Sequence, residues 1–326
     1  MLSVLLPYRD ARETLREAMA SVLAEGELDE LVAIDDGSRD GSGEIARSLQ
    51  DPRIVHVTTA GIGVAGALAA GLEAARGDLI ARMDADDVSL PGRLAAGIEL
   101  LEGDASLGVV GCQVAPLGEV TDGMRGYLAW QNAIVTPEDH AREMFVESVL
   151  CHPTATMRRD AVERVGGFRD APWAEDYDLW LRMDAAGVRM AKVPRVLYAW
   201  RRHAAQVTFR DPRCSIERLR QGRAAYLAPR LRSLGRPLCI WGAGPTGKRL
   251  ARELEKIGQR AELFVDVDPR KIGHRRRGAP VVGKESLPAG THTIVVAVGA
   301  RGARVLVRAE LLGRGLAEGR DFVCAA

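Results

Sequence analysis

Apolar and polar positions in the first hundred residues follow two alternating periods. Short apolar runs, "LSVLLP" at residues 2–7, "ELVAID" at 30–35, "RIVHVT" at 53–58 and "DLIARMD" at 78–84, predict strands. Helical patterns separate them. "ARETLREAMASVLAEG" sets Leu15, Met19, Val22 and Leu23 at helical spacing and closes on Gly26. "GSGEIARSLQ" starts a helix with Ser42 as the expected N-cap, and "GALAAGLEAARG" reads as a third helix. Strand and helix in turn, up to a fourth strand, predict a mostly parallel sheet with helices on both faces. Ligands in such sheets bind outside the carboxyl ends of the strands. "PYRD", "DDGSRD" and "DADD" all fall at such ends.

Past residue 108 the pattern loosens. "LGVVGCQV" predicts a strand, residues 116–148 a loop and a helix, and "HPTATMRRDAVERVGGF" a strand followed by a short helix. "AEDYDLWLRMDAAG" predicts a helix with an acidic start, and "VRMAKVPRVLYAWRRH" a strand. Residues 211–236 are helical in pattern and carry seven arginines; Pro229 is expected to interrupt the helix. A second strand–helix alternation follows, in "PLCIWGAGPTGKRLARELEKIG", "AELFVDVD", "HTIVVAVGA" and "RGARVLVRAELLGRG". The expected organisation is an α/β domain over 1–210, a helical connector over 211–236 and a small Rossmann-like α/β domain over 237–326.

Charge narrows the partners. With 45 basic and 44 acidic residues there is no net field to gather nucleic acid or an anionic membrane, so any basic site must be local. The arginine-rich connector leaves peripheral membrane contact open. Five scattered cysteines without a C-x-x-C pair argue against a disulfide framework or structural zinc and suit a reducing cytosol. The N-terminus lacks the basic start and long apolar core of a signal peptide, and no stretch is long and apolar enough to span a membrane. A cytoplasmic protein is expected.

The densest chemistry lies in "ARMDADDVSLPGRL", residues 81–94, with Asp84, Asp86 and Asp87 in four positions. Carboxylates this close raise one another's pKa unless something neutralises them. They form either a solvated acidic turn, capping the helix after Pro91, or a seat for a hard divalent cation shared with a substrate's phosphates.

Taken together and in order, "SVLLPYRDA", "AIDDGSRDGS", "ARMDADDVSLPGRL", "HPTATMRR" and "EDYDLWLR" resemble glycosyltransferase family 2. The resemblance covers about residues 1–210. It implies a GT-A fold, a nucleoside-diphosphate sugar donor, and Mg²⁺ or Mn²⁺ as cofactor. It makes Asp84 and Asp86 the D-x-D element, with Asp86 the more direct metal ligand and Asp84 nearer the ribose or the metal's water shell. Pro7, Arg9 and Asp36 fall near the donor's base, with Asp36 accepting a hydrogen bond from it. Where the family often has an aromatic residue followed by Asn, this chain has Arg9 and Asp10; Ala69 likewise stands where relatives often carry Asn. Asp176, paired with Glu175, matches the family's catalytic base, although an acidic helix start also complements the helix dipole. His152 falls in a loop near the acceptor. The "WRRHAAQVT" stretch resembles the family's Arg-x-His…Gln-Val-Ser ending, which brings His203 to the metal or Arg201 to the diphosphate. The implied activity is inverting sugar transfer to a glycan or lipid-linked acceptor, as in bacterial surface polysaccharide synthesis, at the inner face of the membrane.

The tail has chemistry of its own. "GAGPTG" is a full G-x-G-x-x-G between a strand and a helix, with Gly242, Gly244 and Gly247, and Asp266 ends the next strand at the separation of a ribose-binding acid. NAD(P) or another nucleotide is the expected ligand if the domain binds one; packing or partner contact is the alternative. Two other functions remain open at this point: an NAD(P)-dependent oxidoreductase acting on a sugar nucleotide, and a non-catalytic nucleotide-sugar binding protein.

Overall fold

The computed structural model describes residues 1–203, 206, 210–287, 290–300 and 302–326. Ala204, Ala205, Val207 and Thr208 of the "WRRHAAQVT" stretch therefore lie outside the described residues. The chain divides into two compact units. One comprises Met1–Ala141, Val149–Ala171 and Asp178–Asp211; the other comprises Arg142–Ser148, Pro172–Tyr177 and Pro212–Ala326.

In the first unit, β1 (Leu2–Tyr8), β2 (Glu30–Asp35), β3 (Ile54–Thr58), β4 (Leu79–Arg82), β5 (Val88–Ser89), β6 (Leu107–Leu117), β7 (Thr156–Arg158) and β8 (Arg189–Arg201) form one sheet. Its order is β3-β2-β1-β4-β7-β6-β8-β5. The first four strands of that order are parallel; β7 runs against β4 and β6, and β5 against β8. Every residue of β1 and β2 is buried, as strands covered on both faces require, which is why their sequences are unbroken apolar runs. β3, at the sheet edge, is only partly buried. Helix α1 (Leu15–Leu23) buries Leu15, Ala18, Met19 and Val22 in this core. Helices α2 (Ser42–Ser48), α3 (Gly63–Ala74) and α4 (Arg93–Gly103) follow β2, β3 and β5.

Ser42 is the first helical residue of α2, and Gly41 is its N-cap. The Ser42 hydroxyl faces sideways, donating to Asp40 Oδ1 (2.6 Å) and accepting the Ala11 N–H (2.9 Å). It ties the loop after β1 to the loop after β2 instead of capping its own helix. Between β6 and β8 the chain forms α5 (Asp122–Asn132), α6 (Pro137–Glu143), α7 (Arg159–Arg164) and α8 (Glu175–Ala185), with a single turn of 3-10 helix at His152–Thr154.

The α6 residue His140 is buried, with Nδ1 2.9 Å from the Thr136 carbonyl. Burial lowers its pKa to about 4 from an ordinary value of 6.5. The folded form thus resists a proton that the unfolded chain accepts, so stability present above pH 6.5 is lost as pH falls toward 4. At pH 5 the loss is on the order of 2 kcal/mol. Urea unfolding of the wild type and of His140→Gln at pH 7 and pH 5 should show a shallower pH dependence in the variant; identical dependence would remove His140 as the cause.

In the second unit, β9 (Leu238–Trp241), β10 (Ala261–Val265), β11 (Arg275–Arg276), β12 (Ala279–Val282), β13 (Thr293–Val296) and β14 (Phe322–Cys324) form a sheet in the order β11-β12-β10-β9-β13-β14. All pairs except β11–β12 are parallel. Counted from β9, the parallel strands run 3-2-1-4-5, the order of a doubly wound sheet. Helices α9 (Ile216–Leu234), α10 (Pro245–Lys256) and α11 (Ala303–Gly313) belong to this unit. Pro229 does not interrupt α9, which runs through it. Pro229 is exposed and Ala225 only half-buried, so water can reach the carbonyl that loses its partner, while Leu227, Ala228 and Leu231 stay buried.

Candidate active site

The acidic turn leaves the sheet at the end of β4. Ligand atoms of Asp84, Asp86 and Asp87 lie within 4.8 Å of one another. Around them the chain has built a holder. Arg82 is buried and donates to the Met83 carbonyl (2.8 Å) and to Asp84 Oδ1. From β8, the Tyr198 hydroxyl donates to Asp87 Oδ2 (2.9 Å) and accepts the Asp84 N–H (3.3 Å). The Arg201 N–H donates to Asp87 Oδ1 (2.7 Å), and its Nε to the Asp86 carbonyl (2.7 Å). Just past β8, His203 Nε2 lies 2.8 Å from Asp86 Oδ2.

These contacts separate the three acids. Both Asp87 oxygens are held inside the protein, so Asp87 orients the turn. Burial, together with repulsion from Asp84 and Asp86, pushes its carboxyl up to about 9. Asp86 is also raised, by burial and by Asp84, against the opposing pull of His203. Asp84 offers the oxygen that Arg82 does not take, and Asp86 offers Oδ1. Carboxylate oxygens in a polar turn, mutually strained by like charge, suit a hard divalent cation. The His203 imidazole at the rim adds a third donor.

The loops after β1, β2 and β3 are stitched together on the same carboxyl edge. Asp10 takes a left-handed φ of 52°, which a short polar side chain tolerates. It accepts the Arg39 N–H (2.8 Å) and donates its own N–H to Ser38 Oγ (3.1 Å). Pro7 is buried in β1, and the exposed Arg9 lays its guanidinium over Gly61. Asp36 is buried. Its Oδ1 accepts from Thr59 Oγ1 (2.5 Å) and the Ile62 N–H (2.8 Å), and its Oδ2 from the Gly63 N–H (2.9 Å). The carboxylate therefore holds the start of α3, with one acceptor site left on Oδ2.

His152 sits in the core, its ring edge-on to Trp180 (5.5 Å between centroids) and 5.9 Å from Phe168. Burial, with Arg82 adding to it, holds its pKa well below the usual value, so the ring is neutral. The acids of "EDYD" divide. Asp178 is buried and pairs with Arg182 (2.7 Å) and Arg169 (3.2 Å), anchoring α8. Glu175 and Asp176 open α8 on the segment that belongs to the second unit, where Asp176 Oδ1 accepts the Tyr177 N–H (2.7 Å).

In the second unit, a Cβ on Gly247 would stand 1.8 Å from the Gly242 carbonyl oxygen, and one on Gly242 would stand 2.3 Å from that of Ala297. Close approach of turn, helix and strand end accounts for both glycines. Gly244 is open, with the Lys271 amine 3.9 Å from where its Cβ would be. Asp266, the acid in the ribose position, is buried. It accepts the Ala243 N–H (2.8 Å) and the Asp268 N–H (2.9 Å) and pairs with Lys271 (3.1 Å). That carboxylate clamps its own turns, and the fit to a ribose diol is poor.

Residues 3–166, half of the chain, match the family model described as glycosyl transferase family 2. The chain belongs to glycosyltransferase family 2. The Bacillus subtilis protein named "Putative glycosyltransferase EpsE" is 31% identical over 206 residues, covering 60% of this chain and 71% of its own. The amylovoran biosynthesis glycosyltransferase AmsE of Erwinia amylovora is 26% identical over 209 residues, 60% of this chain and 74% of its own. Among solved structures, a Pyrobaculum calidifontis mannosyltransferase in complex with GDP-Man and Mn²⁺ aligns with a TM-score of 0.50 at 21% identity, over 70% of this chain and 61% of that one. Staphylococcus aureus TarS in complex with UDP-GlcNAc aligns with a TM-score of 0.56 at 15% identity, over 69% and 66%. The alignments span less than two thirds of either solved chain and establish the GT-A-like α/β fold.

Sequence reasoning missed Arg82, Tyr198, Glu25 and Arg93 around the acidic turn of this family 2 transferase. Arg82 gave a signal, a charge in the middle of an apolar strand. Tyr198 and Glu25 pair with this region across 60 or more residues, and Arg93 reaches Pro153 across 60, where no local spacing reveals them.

Proposed function

We propose that this protein is an inverting, metal-dependent glycosyltransferase that moves a sugar from a nucleoside diphosphate to a glycan or lipid-linked acceptor in surface polysaccharide synthesis. The observation that carries this reading is the convergence of Asp84, Asp86 and His203 on one turn at the carboxyl edge of the sheet, with Asp87 locked beneath them.

In this mechanism Asp86 and Asp84 would hold Mg²⁺ or Mn²⁺, with His203 at the rim. When bound, the cation supplies Lewis-acid stabilisation of the charge that builds on the leaving diphosphate. Arg201 fixes the turn from β8 through the Asp86 carbonyl. Pro7 near the end of β1 and the stitched loops carrying Arg9 and Asp36 form the wall against the nucleoside. Asp176 takes the proton of the acceptor hydroxyl as its oxygen attacks the anomeric carbon from the face opposite the diphosphate. The bond to the diphosphate oxygen breaks as the glycosidic bond forms, and the configuration inverts. The family resemblance assigns Glu175 and the loop carrying the buried His152 to acceptor binding. Family membership and a relative named for amylovoran biosynthesis support the polysaccharide setting. A cytoplasmic place at the inner face of the membrane follows from that setting; no helix among the described residues is long and apolar enough to cross a membrane. No hydride-transfer step is assigned to the second unit, because Asp266 is engaged in its own turns.

A thermal-shift screen tests this reading. UDP, GDP, dTDP and their sugars, each with and without Mn²⁺, are set beside NAD and NADP. One nucleotide should stabilise the protein only when Mn²⁺ is present, by RT ln(1 + [L]/Kd). Stabilisation by NAD or NADP alone would overturn it.

A further inference from the structure

Arg93 opens α4 and is 2% exposed. Among the described residues its guanidinium meets no carboxylate. Nε donates to Ser89 Oγ (2.7 Å), Nη1 donates to the carbonyls of Arg82 (3.0 Å) and Pro153 (2.9 Å), and Nη2 finds no acceptor. Burying an unpaired charge is expensive, and an apolar side chain of similar volume would pack there at lower cost. The fork does something packing cannot. It joins the last residue of β4, two positions before Asp84, to the His152–Thr154 turn. Its carbon also lies 5.5 Å from the centre of the Tyr198 ring, whose hydroxyl holds Asp87.

A second layer fixes Arg93 itself. Ser89 donates to Glu25 Oε1 (2.7 Å), and Glu25 Oε2 accepts the N–H groups of Gly92 (3.1 Å) and Leu94 (3.3 Å) at the start of α4. Glu25 thus caps the helix from 67 residues away, and no member of the acidic turn does. Buried carboxylate, hydroxyl and guanidinium form one chain that ends on the backbone of Arg82, two residues before the acidic turn.

We propose that Arg93 is a positioning residue of the metal–diphosphate turn. It acts through the Arg82 and Pro153 carbonyls and the Tyr198 ring, and Ser89 and Glu25 set its own orientation. This role rests on the metal-dependent reading above.

The test is Mn²⁺ binding followed by electron paramagnetic resonance on the full chain, without donor, for wild type, Arg93→Met, Arg93→Lys and Ser89→Ala. Circular dichroism confirms folding. Arg93→Met should weaken Mn²⁺ about tenfold, the effect of losing a partner outside the ligands themselves. Arg93→Lys should recover part of that loss, and Ser89→Ala should shift affinity the same way by about threefold. A residue that only packs would lower the melting temperature and leave Mn²⁺ affinity unchanged. If Arg93→Met does not fold, Arg93→Lys and Ser89→Ala decide. Folded variants that bind Mn²⁺ within about twofold of wild type overturn the positioning role alone. A wild type that binds no Mn²⁺, either alone or with a nucleoside diphosphate added, overturns the metal reading and this role together.

Discussion

Asp176→Asn is expected to bind donor as the wild type does and to lose turnover by about a thousandfold, within the range that general-base groups contribute. The substitution keeps the size and planarity of the side chain. Its amide oxygen can still accept the Tyr177 N–H that Asp176 Oδ1 accepts at 2.7 Å, which preserves that contact at the start of α8. What the amide cannot do is take a proton. The loss should therefore fall on kcat, with donor affinity by calorimetry unchanged and the melting temperature held. Asp178→Asn is the contrasting variant. Asp178 is buried between Arg182 and Arg169, so its loss should appear first in stability. Turnover by Asp176→Asn within about threefold of wild type would remove the base assignment, since so small a loss is below any general-base contribution.

The contrast between Asp176 and Asp178 indicates what a sequence discloses. The parallel strands were legible because burial on both faces forces unbroken apolar runs, and β1 and β2 are buried at every residue. The three acidic stretches were legible as a group because a parallel sheet delivers its strand ends to one edge. Local capping was less legible. Ser42 has the right chemistry for an N-cap, but Gly41 precedes it at φ 92°, and Asp40 claims the hydroxyl. Pro229 is a helix breaker on an exposed face, where solvent can reach the carbonyl that its ring leaves without a partner. Asp36 and Asp266 stood where ligand-reading acids belong, and both spend hydrogen bonds on backbone N–H groups of turns 20 or more residues away. Ser89 and Arg93 stand four residues apart, but their link to Glu25, 64 residues away, gave no local signal. Their partnership exists only after α1, β5 and α4 have packed.

Asp86→Ala should move two measured quantities in opposite directions. Of the three acids, Asp87 has both oxygens bound to Tyr198 and Arg201, and Asp84 is partly engaged by Arg82, which leaves Asp86 with Oδ1 open and Oδ2 facing His203. On the proposed reading, losing it removes a direct ligand. Partners outside the ligand shell are worth ten- to a hundredfold in metal affinity, so a ligand should be worth at least about a hundredfold. Mn²⁺-dependent stabilisation by donor nucleotide should disappear. In metal-free protein the effect reverses. The raised carboxyls of Asp86 and Asp87 are the mark of charges crowded and buried without compensation, and removing one relieves the others. The metal-free melting temperature of Asp86→Ala should therefore rise above that of the wild type, as happens when a strained functional group is deleted. An acidic turn kept only for solvation or capping would give neither result: nucleotide titrations with and without Mn²⁺ would match the wild type, and the melting temperature would stay or fall. The pair of signs is the discriminating observation, because a general loss of structure lowers both quantities and a lost metal ligand lowers only one.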